Sequence, residues 1–232
     1  MQIDKIFEAD KRIKKKKRTT PLLNSPFLDE IADRQIFIKA ECLQHTGSFK
    51  FRGAYSAISS IPIEKRKKGV IAYSSGNHAQ GVAYAAKIHK IPATIIMPED
   101  APEIKINNTI DLGAEVILYD RLSENREKIG QKISEERLLS LIPPYDHNDV
   151  IAGQGTIGLE IASQAEQIGV GKADVLVCCG GGGLTSGIAV ALSSLMPDFV
   201  TRPVEPEGFD DVVRSLETGE RQTNKKTIGG LC

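Results

Sequence analysis

Short apolar runs alternate with segments of helical periodicity along the chain. Strands are predicted at residues 35–41, 69–74, 93–99, 115–120, 173–180 and 199–206. Helices are predicted at residues 3–16, 48–60, 77–89, 103–112, 150–169, 184–195 and 209–219. Strands and helices that alternate in this way are typical of parallel sheets with helical crossovers. The pattern therefore predicts an α/β fold with mostly parallel sheets flanked by helices.

A loop rich in turn-forming residues, LIPPYDHND at residues 141–149, divides the strands into two sets. Proline, aspartate and asparagine in such number are typical of a connection between two lobes. We therefore predict two lobes, with a hinge in this loop.

Composition and charge narrow the classes of function. Of the 232 residues, 41% are hydrophobic, and 30 Lys and Arg balance 30 Asp and Glu. A chain without net charge has no overall field that attracts nucleic acid or an anionic membrane, so we expect neither as a partner and predict a small-molecule ligand. The basic block at residues 11–18 is predicted to be a solvated helix face. The charged amino terminus and the lack of a long apolar run predict a soluble, cytoplasmic protein.

Four consecutive glycines follow a predicted strand in the sequence CCGGGGLTSG and open a helix. The backbone N–H groups of such a loop can surround a phosphate, because no side chain obstructs the approach. The spacing is not that of a dinucleotide-binding fingerprint, and no P-loop lysine follows. Four glycines lose much conformational entropy on folding, which makes a turn without a ligand the weaker interpretation. We therefore predict a phosphate site here.

The loop QHTGSFKFRGAY places Lys50 in the first turn of a predicted helix, with Ser48 as its N-cap. The positive end of a helix disfavours a cation and so favours a neutral amine. A neutral amine can attack an aldehyde, whereas an ammonium group cannot. The loop is compatible with an imine-forming lysine, although an ordinary solvent-facing lysine fits this loop alone equally well.

The loop YSSGNHAQGVAYAAK follows a predicted strand and begins a helix with Ser74, Ser75, Gly76, Asn77 and His78. Hydroxyl, amide and unpaired N–H groups at a helix amino end suit a carboxylate. Helix capping alone would explain Ser75 and Asn77, so the carboxylate interpretation depends on convergence with the other two loops.

A phosphate loop, an activated lysine and a carboxylate loop together describe pyridoxal phosphate (PLP) bound to an amino acid. The segments SFKFRGA, SSGNHAQGVAYAA, VIAGQGTIGLEI, GGGGL and VEPEGFDD resemble the serine/threonine dehydratase and serine racemase group of fold-type-II PLP enzymes, which share the tryptophan synthase β-subunit fold. The resemblance extends nearly from end to end, with the five motifs in family order. The cysteine synthase branch is less similar around Lys50 and Asn77.

The resemblance implies a role for each matching residue of the three loops. Lys50 would form the imine with the cofactor, Phe49 would lie against the cofactor, and Asn77 would contact its 3′-oxygen. The residues that would hold the substrate carboxylate are Ser75, Gly76, Asn77 and His78. The residues that match the phosphate loop are Gly180, Gly181, Gly182, Gly183 and Leu184.

The segment VEPEGFDD matches a cation site that some members of the group possess. The matching ligands are Glu205, Asp211 and the carbonyl of Phe209, and such oxygen ligands suit Mg²⁺ or Mn²⁺. A helix start without a metal explains these residues nearly as well.

The resemblance also concerns the extent of the domains. Residues 1–60 and 147–232 would belong to a large domain, and residues 61–146 would form a small α/β domain. Members of the group continue well beyond the last residue of this chain and supply a neutral Ser, Cys or Thr to the pyridine nitrogen. We therefore expect an incomplete large domain, and poor solubility or trace activity for this chain alone.

The implied reaction is β-elimination by a threonine/serine ammonia-lyase, in which Lys50 removes the α-proton of a 3-hydroxy amino acid and the β-hydroxyl leaves. The products are a 2-oxo acid and ammonia. Two alternatives belong to the same group: a 3-hydroxyaspartate dehydratase, and a serine racemase in which Ser75 serves as the second base. An inactive truncated fragment is the alternative from another class. The complete protein is expected to be a homodimer.

Overall fold

The computed structural model describes residues 1–224, and α-helices and strands alternate along them. The helices are α1 (Ile3–Ile13), α2 (Pro26–Ala32), α3 (Lys50–Ser60), α4 (Ile63–Arg66), α5 (Asn77–His89), α6 (Glu103–Asp111), α7 (Arg126–Arg137), α8 (Asn148–Gln167), α9 (Gly183–Leu195) and α10 (Asp211–Thr218). The strands are β1 (Leu22–Asn24), β2 (Phe37–Lys39), β3 (Val70–Tyr73), β4 (Ala93–Pro98), β5 (Glu115–Tyr119), β6 (Ser140–Leu141), β7 (Ala173–Cys178) and β8 (Phe199–Val204). No helix within this part of the chain is both long enough and apolar enough to cross a membrane.

Parallel pairing dominates the sheets. A four-stranded parallel sheet has the order β5-β4-β3-β6, and β7 pairs in parallel with β8. Only the short pair β1–β2 is antiparallel among the described strands. The predicted α/β fold with mostly parallel sheets flanked by helices is therefore confirmed.

The four-stranded sheet is covered on both faces. All six residues of β4 are buried, as expected for a parallel strand whose two faces both carry helices. Val70 of β3 pairs with Ala93 of β4, so the carboxyl ends of these strands lie at one edge of the sheet. The loops that begin α5 and α6 therefore meet at that edge.

The two-stranded sheet β7–β8 is covered on one face. Val177 and Phe199 pack against the apolar sides of α8 and α9, whereas Leu176, Val200 and Val204 on the other face are exposed. Burial alternates along both strands, because successive side chains point to opposite faces.

Several elements differ from the predictions. The helix α1 ends at Ile13 rather than at residue 16. The helix α7 was not predicted, because it is strongly polar and only Gly130 in it is buried. The strand β6 was also missed, since its two residues are too few to show a period.

A buried ionic network joins α3 and α8 to the amino-terminal segment. Arg52 of α3 is fully buried, and its guanidinium donates to Glu41 at 2.7 Å and to Glu160 of α8 at 2.8 Å. Glu160 also pairs with Lys39 at 2.7 Å and with Lys17. Burial by itself raises the pKa of the Glu160 carboxyl, but the hydrogen bonds and charges of Arg52, Lys17 and Lys39 outweigh it and lower the pKa to about 2.

This network corrects the prediction that the basic block is a solvated helix face. The Lys17 side chain is 7% exposed and pairs with Asp10 as well as Glu160. Arg12 donates to Ser56 and to Asp149 at 3.0 Å. These two cations therefore tie the amino-terminal segment to the core instead of facing solvent.

We expect Glu160→Gln to lower the free energy of unfolding by about 3–5 kcal/mol at neutral pH, because three largely buried cations lose their shared anion. Urea unfolding followed by circular dichroism measures this loss. Glu64→Gln, at an exposed pair on the surface, is the matched control and should change the free energy by less than about 0.5 kcal/mol.

The same pair of proteins should differ in their response to acid. The pKa of Glu160 is lowered in the folded chain, so its contribution is complete above its ordinary value of 4.5 and is lost as the pH falls towards about 2. The stability difference between wild type and Glu160→Gln should therefore shrink across this window. A difference that stays constant down to pH 2 would contradict the assignment.

Candidate active site

Lys50 is the first residue of α3 and lies at the amino end of the helix, as predicted. Its Nζ donates a hydrogen bond to the carbonyl of Pro144 at 2.9 Å and lies 5.3 Å from the centre of the Phe49 ring. The predicted capping by Ser48 is wrong. Phe49 is the N-cap, and the buried hydroxyl of Ser48 has no hydrogen-bond partner in the described part of the chain.

The turn before Lys50 holds an unusual backbone conformation. Thr46 has φ of 61° and Gly47 has φ of 70°, and a β-branched residue in the left-handed region is a genuine outlier. Ring contacts support the turn, because His45 lies 4.8 Å from Phe51 and 5.1 Å from Tyr84 between ring centres. Such strain persists only where the surrounding structure holds it, and it is frequent at functional sites.

The second loop, residues 74–76, connects β3 to α5. Gly76 is the N-cap of α5, so Asn77 and His78 present unpaired backbone N–H groups in the first helical turn. Ser75 is partly buried and Asn77 is exposed. This arrangement agrees with the predicted carboxylate loop and leaves the roles of its residues as proposals.

The ring of His78 faces the protein interior. It is 2% exposed, and its Nε2 lies 2.9 Å from the carbonyl of Ile142. Burial, followed by the charge of Lys50, lowers the pKa of His78 to about 3, so the ring is neutral at pH 7. Because a carbonyl only accepts, Nε2 carries the proton and Nδ1 is an acceptor. His78 can therefore offer a carboxylate its backbone N–H but no ring N–H.

The helix α5 packs directly against Lys50. A Cβ at Gly81 would lie 3.1 Å from the carbonyl carbon of Lys50, so only a residue without a side chain permits this approach. The close contact brings the first turn of α5, which carries His78, into the electrostatic range of the Lys50 amine. The lysine loop and the carboxylate loop therefore converge.

The glycine loop lies between β7 and α9. Gly182 is the N-cap with φ of 76°, and the helix begins at Gly183 and Leu184. The ring of Tyr145 lies on Gly181 so closely that a Cβ there would overlap the ring, and a Cβ on Gly183 would lie 3.3 Å from the Cβ of Tyr145. The absence of side chains is therefore required by close packing as well as by backbone conformation.

Pro144 and Tyr145 connect the lysine loop to the glycine loop. The Pro144 carbonyl accepts from Lys50, and the next residue packs on Gly181. The amine and the predicted phosphate loop thus lie on either side of one dipeptide. Sequence analysis assigned a hinge to this segment and missed its place in the site, because no motif signals such a contact.

The predicted cation ligands lie at the turn between β8 and α10. Both carboxylate oxygens of Glu205 accept helix N–H groups, from Val212 at 3.0 Å and from Val213 at 2.8 Å. Asp211 accepts from the Asn224 side chain at 2.7 Å. Glu205 therefore acts as a cap of α10. A carboxylate has further lone pairs, so these contacts are compatible with a cation without supplying evidence for one.

The residues present fit PLP. The cofactor requires an amine, a phosphate loop and polar groups that gain partners when it binds. Lys50 supplies the amine, the side-chain-free loop at residues 180–183 supplies N–H groups, and the buried Ser48 hydroxyl lacks a partner within residues 1–224. An α/β fold with these three loops at strand-to-helix junctions defines the class of fold-type-II PLP enzymes.

The chain belongs to the family described as pyridoxal-phosphate dependent enzyme, whose profile matches residues 13–230. It is 48% identical over 92% of its length to an L-threo-3-hydroxyaspartate ammonia-lyase of Saccharomyces cerevisiae and 46% identical over 93% to a serine racemase of Schizosaccharomyces pombe. The chain spans 64% and 66% of the length of these two relatives. The predicted family is therefore confirmed, and with it PLP as the family's cofactor.

A solved structure shows the same fold. A threonine deaminase from the organism abbreviated T.th. superposes with a TM-score of 0.91 at 43% identity, over 97% of this chain and 72% of that chain. The predicted fold-type-II architecture is thereby confirmed for the described residues.

We expect Gly181→Ala to reduce PLP affinity at least about tenfold, because the new methyl group would displace either Tyr145 or the glycine loop. Gly181→Asp should lose more, since it adds a negative charge beside the phosphate. Gly171→Ala is the control, because nothing lies within 4 Å of a Cβ there. Spectroscopic titration with PLP measures affinity and circular dichroism measures the fold. Unchanged affinity in both Gly181 variants would contradict the phosphate assignment.

Proposed function

We propose that this chain is part of a PLP-dependent ammonia-lyase that converts a 3-hydroxy amino acid, serine or threonine, to a 2-oxo acid and ammonia. One observation carries the proposal: the amine of Lys50 lies between the glycine loop and the carboxylate loop, joined to both through direct contacts. The names of the Saccharomyces cerevisiae relative and of the T.th. structure, an ammonia-lyase and a deaminase, support the reaction class.

Binding is assigned to the three loops. The N–H groups of Gly181, Gly182, Gly183 and Leu184, with Gly180 before them, hold the phosphate at the positive end of α9. Phe49 lies against the cofactor ring, and Asn77 contacts its 3′-oxygen. Ser75, Gly76 and the backbone N–H of His78 hold the substrate carboxylate. When bound, PLP supplies the electron sink that stabilises a carbanion at Cα.

Proton transfer is assigned to the Nζ atom of Lys50. As a neutral amine it accepts the proton from Cα of the substrate, and the hydroxyl then leaves Cβ, so that the elements of water are lost. Hydrolysis of the released product returns one water and frees ammonia. His78 does not compete for this proton, because burial and the charge of Lys50 lower its pKa to about 3. The Pro144 carbonyl orients the amine by accepting one of its hydrogens.

Two related activities are the alternatives. The Saccharomyces cerevisiae relative favours 3-hydroxyaspartate as the substrate, and the Schizosaccharomyces pombe relative favours racemisation of serine, with Ser75 as the second base. Chiral analysis of residual serine distinguishes racemisation from elimination. Equal amounts of D-serine and 2-oxo acid would establish both activities.

The assembly and the domains are further proposals. Leu23, Phe27, Ile31 and Ile38 of β1, α2 and β2 are 47–69% exposed, and apolar residues grouped in this way are typical of interaction surfaces. They support a homodimer of the whole protein. The separate apolar clusters around α5 and around α9 support a small domain at residues 61–146 and a large domain at residues 1–60 and 147–232. A cytoplasmic location is proposed from the family's small, soluble type of substrate.

We expect Lys50→Ala to lose the visible absorption band that the wild-type chain develops with PLP, because no other amine stands at the start of α3. Lys128→Ala, at an exposed lysine of α7, should keep the band. The two spectra are recorded at equal PLP occupancy, verified by dialysis. An equal band in Lys50→Ala would exclude Lys50 as the reacting lysine.

We propose that Glu205, Asp211 and the carbonyl of Phe209 bind Mg²⁺ or Mn²⁺. A cation that binds only the folded state should stabilise it by about 2–3 kcal/mol at a hundredfold excess over Kd. Glu205→Gln should abolish this increase, whereas Glu207→Gln, at an exposed neighbour, should keep it. Thermal unfolding with and without the cation measures the increase within each variant, so loss of the α10 cap does not affect the comparison. A cation response that survives Glu205→Gln would place the ion elsewhere.

A further inference from the structure

Lys105 lies against Gly76, in the centre of the candidate carboxylate loop. Its side chain extends from the first turn of α6, and its Cδ and Nζ atoms lie 2.6 and 2.7 Å from the position that a Cβ on Gly76 would take. The absence of a side chain at Gly76 therefore makes room for the ammonium group. Sequence motifs did not mark Lys105, because it lies outside all three loops.

Two helices direct their amino ends towards this ammonium group. The helix α5 begins directly after Gly76, and α6 begins at Glu103, two residues before Lys105. Both helices follow neighbouring parallel strands, so both begin at the same edge of the sheet. They have 13 and 9 residues, and each carries the partial positive charge of a helix amino end.

No carboxylate of the described chain neutralises this group of positive charges. Lys105 forms no ion pair within residues 1–224, although Glu103 lies in the same helical turn, and Asp100 is already paired with Arg121 at 2.7 Å. Lys105 is also partly buried, which reduces screening of its charge by water. An ammonium group beside two helix amino ends is unfavourable unless an anion lies among them.

We propose that Lys105 binds the α-carboxylate of the amino acid substrate, together with the N–H groups at the start of α5. Because Gly76 directly precedes α5, the ammonium group and these N–H groups reach the same anion. Hydrogen bonds from a charged donor to a carboxylate are about twice as strong as neutral ones. Lys105 therefore makes the site selective for amino acids over amines that lack the carboxylate. This inference rests on the proposed function, which assigns the carboxylate to this loop.

The test compares L-serine with 2-aminoethanol, which keeps the amine and the hydroxyl of serine but has no carboxylate. Both are titrated into the PLP-loaded 232-residue chain, and Kd is taken from the change in visible absorption. For Lys105→Met we expect the Kd of L-serine to rise about tenfold or more, with the Kd of 2-aminoethanol unchanged. Lys105→Arg retains the charge and should recover most of the affinity. Lys132→Met, at an exposed lysine of α7, should change neither Kd.

The affinity for PLP separates failure of this inference from failure of the proposed function. If the wild-type chain binds no PLP, the proposed function is wrong and the role of Lys105 falls with it. If Lys105→Met binds both PLP and L-serine as the wild type does, only the role of Lys105 is wrong. An equal loss for L-serine and 2-aminoethanol would show a distorted loop and would also overturn the inference.

A third ligand distinguishes the two carboxylates of a dicarboxylic substrate. L-threo-3-hydroxyaspartate should lose affinity for Lys105→Met by the same factor as L-serine, because the α-carboxylate is common to both. A loss confined to the dicarboxylic ligand would assign Lys105 to the side-chain carboxylate and would overturn the assignment to the α-carboxylate.

Discussion

The ion pair between Arg52 and Glu160 holds together the elements on which the candidate site is built. Arg52 lies two residues after Lys50 in α3, and Glu160 lies in α8, so the pair determines how the helix that carries the lysine sits on its neighbour. Both groups are almost completely buried, which makes each charge costly without the other. Lys17 and Lys39 join the amino-terminal segment to the same carboxylate. The position of Lys50 therefore depends on charges that never contact a ligand.

Close approaches at glycines then bring the three loops to this lysine. Gly81 allows α5 to lie on the backbone of Lys50, and Gly181 allows the ring of Tyr145 to lie on the phosphate loop. Gly153 and Gly187 permit equally close contacts of α8 with α3 and α9. A side chain at any of these positions would separate helices whose amino ends must converge. The glycines therefore shape the site through packing as much as through loop conformation.

The electrostatics of the site follow from burial. His78 is neutral because burial and the charge of Lys50 both disfavour its protonation and lower its pKa, so its ring leaves the amine of Lys50 as the basic group of the site. Positive helix ends and the Lys105 ammonium group meet at Gly76, on the side of the loop where a carboxylate is proposed. The same region thus combines one neutral base with an environment that favours an anion.

The sequence by itself determined the fold class and most of the candidate residues. The alternation of apolar runs predicted the parallel sheets, and both predicted ends of α5 agree with the structure, because a glycine N-cap and an apolar period mark this helix locally. The polar helix α7 and the two-residue strand β6 were not predictable, since neither has a clear hydrophobic period. Local chemistry also suggested Ser48 as a cap, which the structure does not show. Only the tertiary structure decided that Lys17 is buried, that Tyr145 covers Gly181 and that Lys105 reaches Gly76. These contacts join residues far apart in the chain, and they depend on packing between elements rather than on any local pattern.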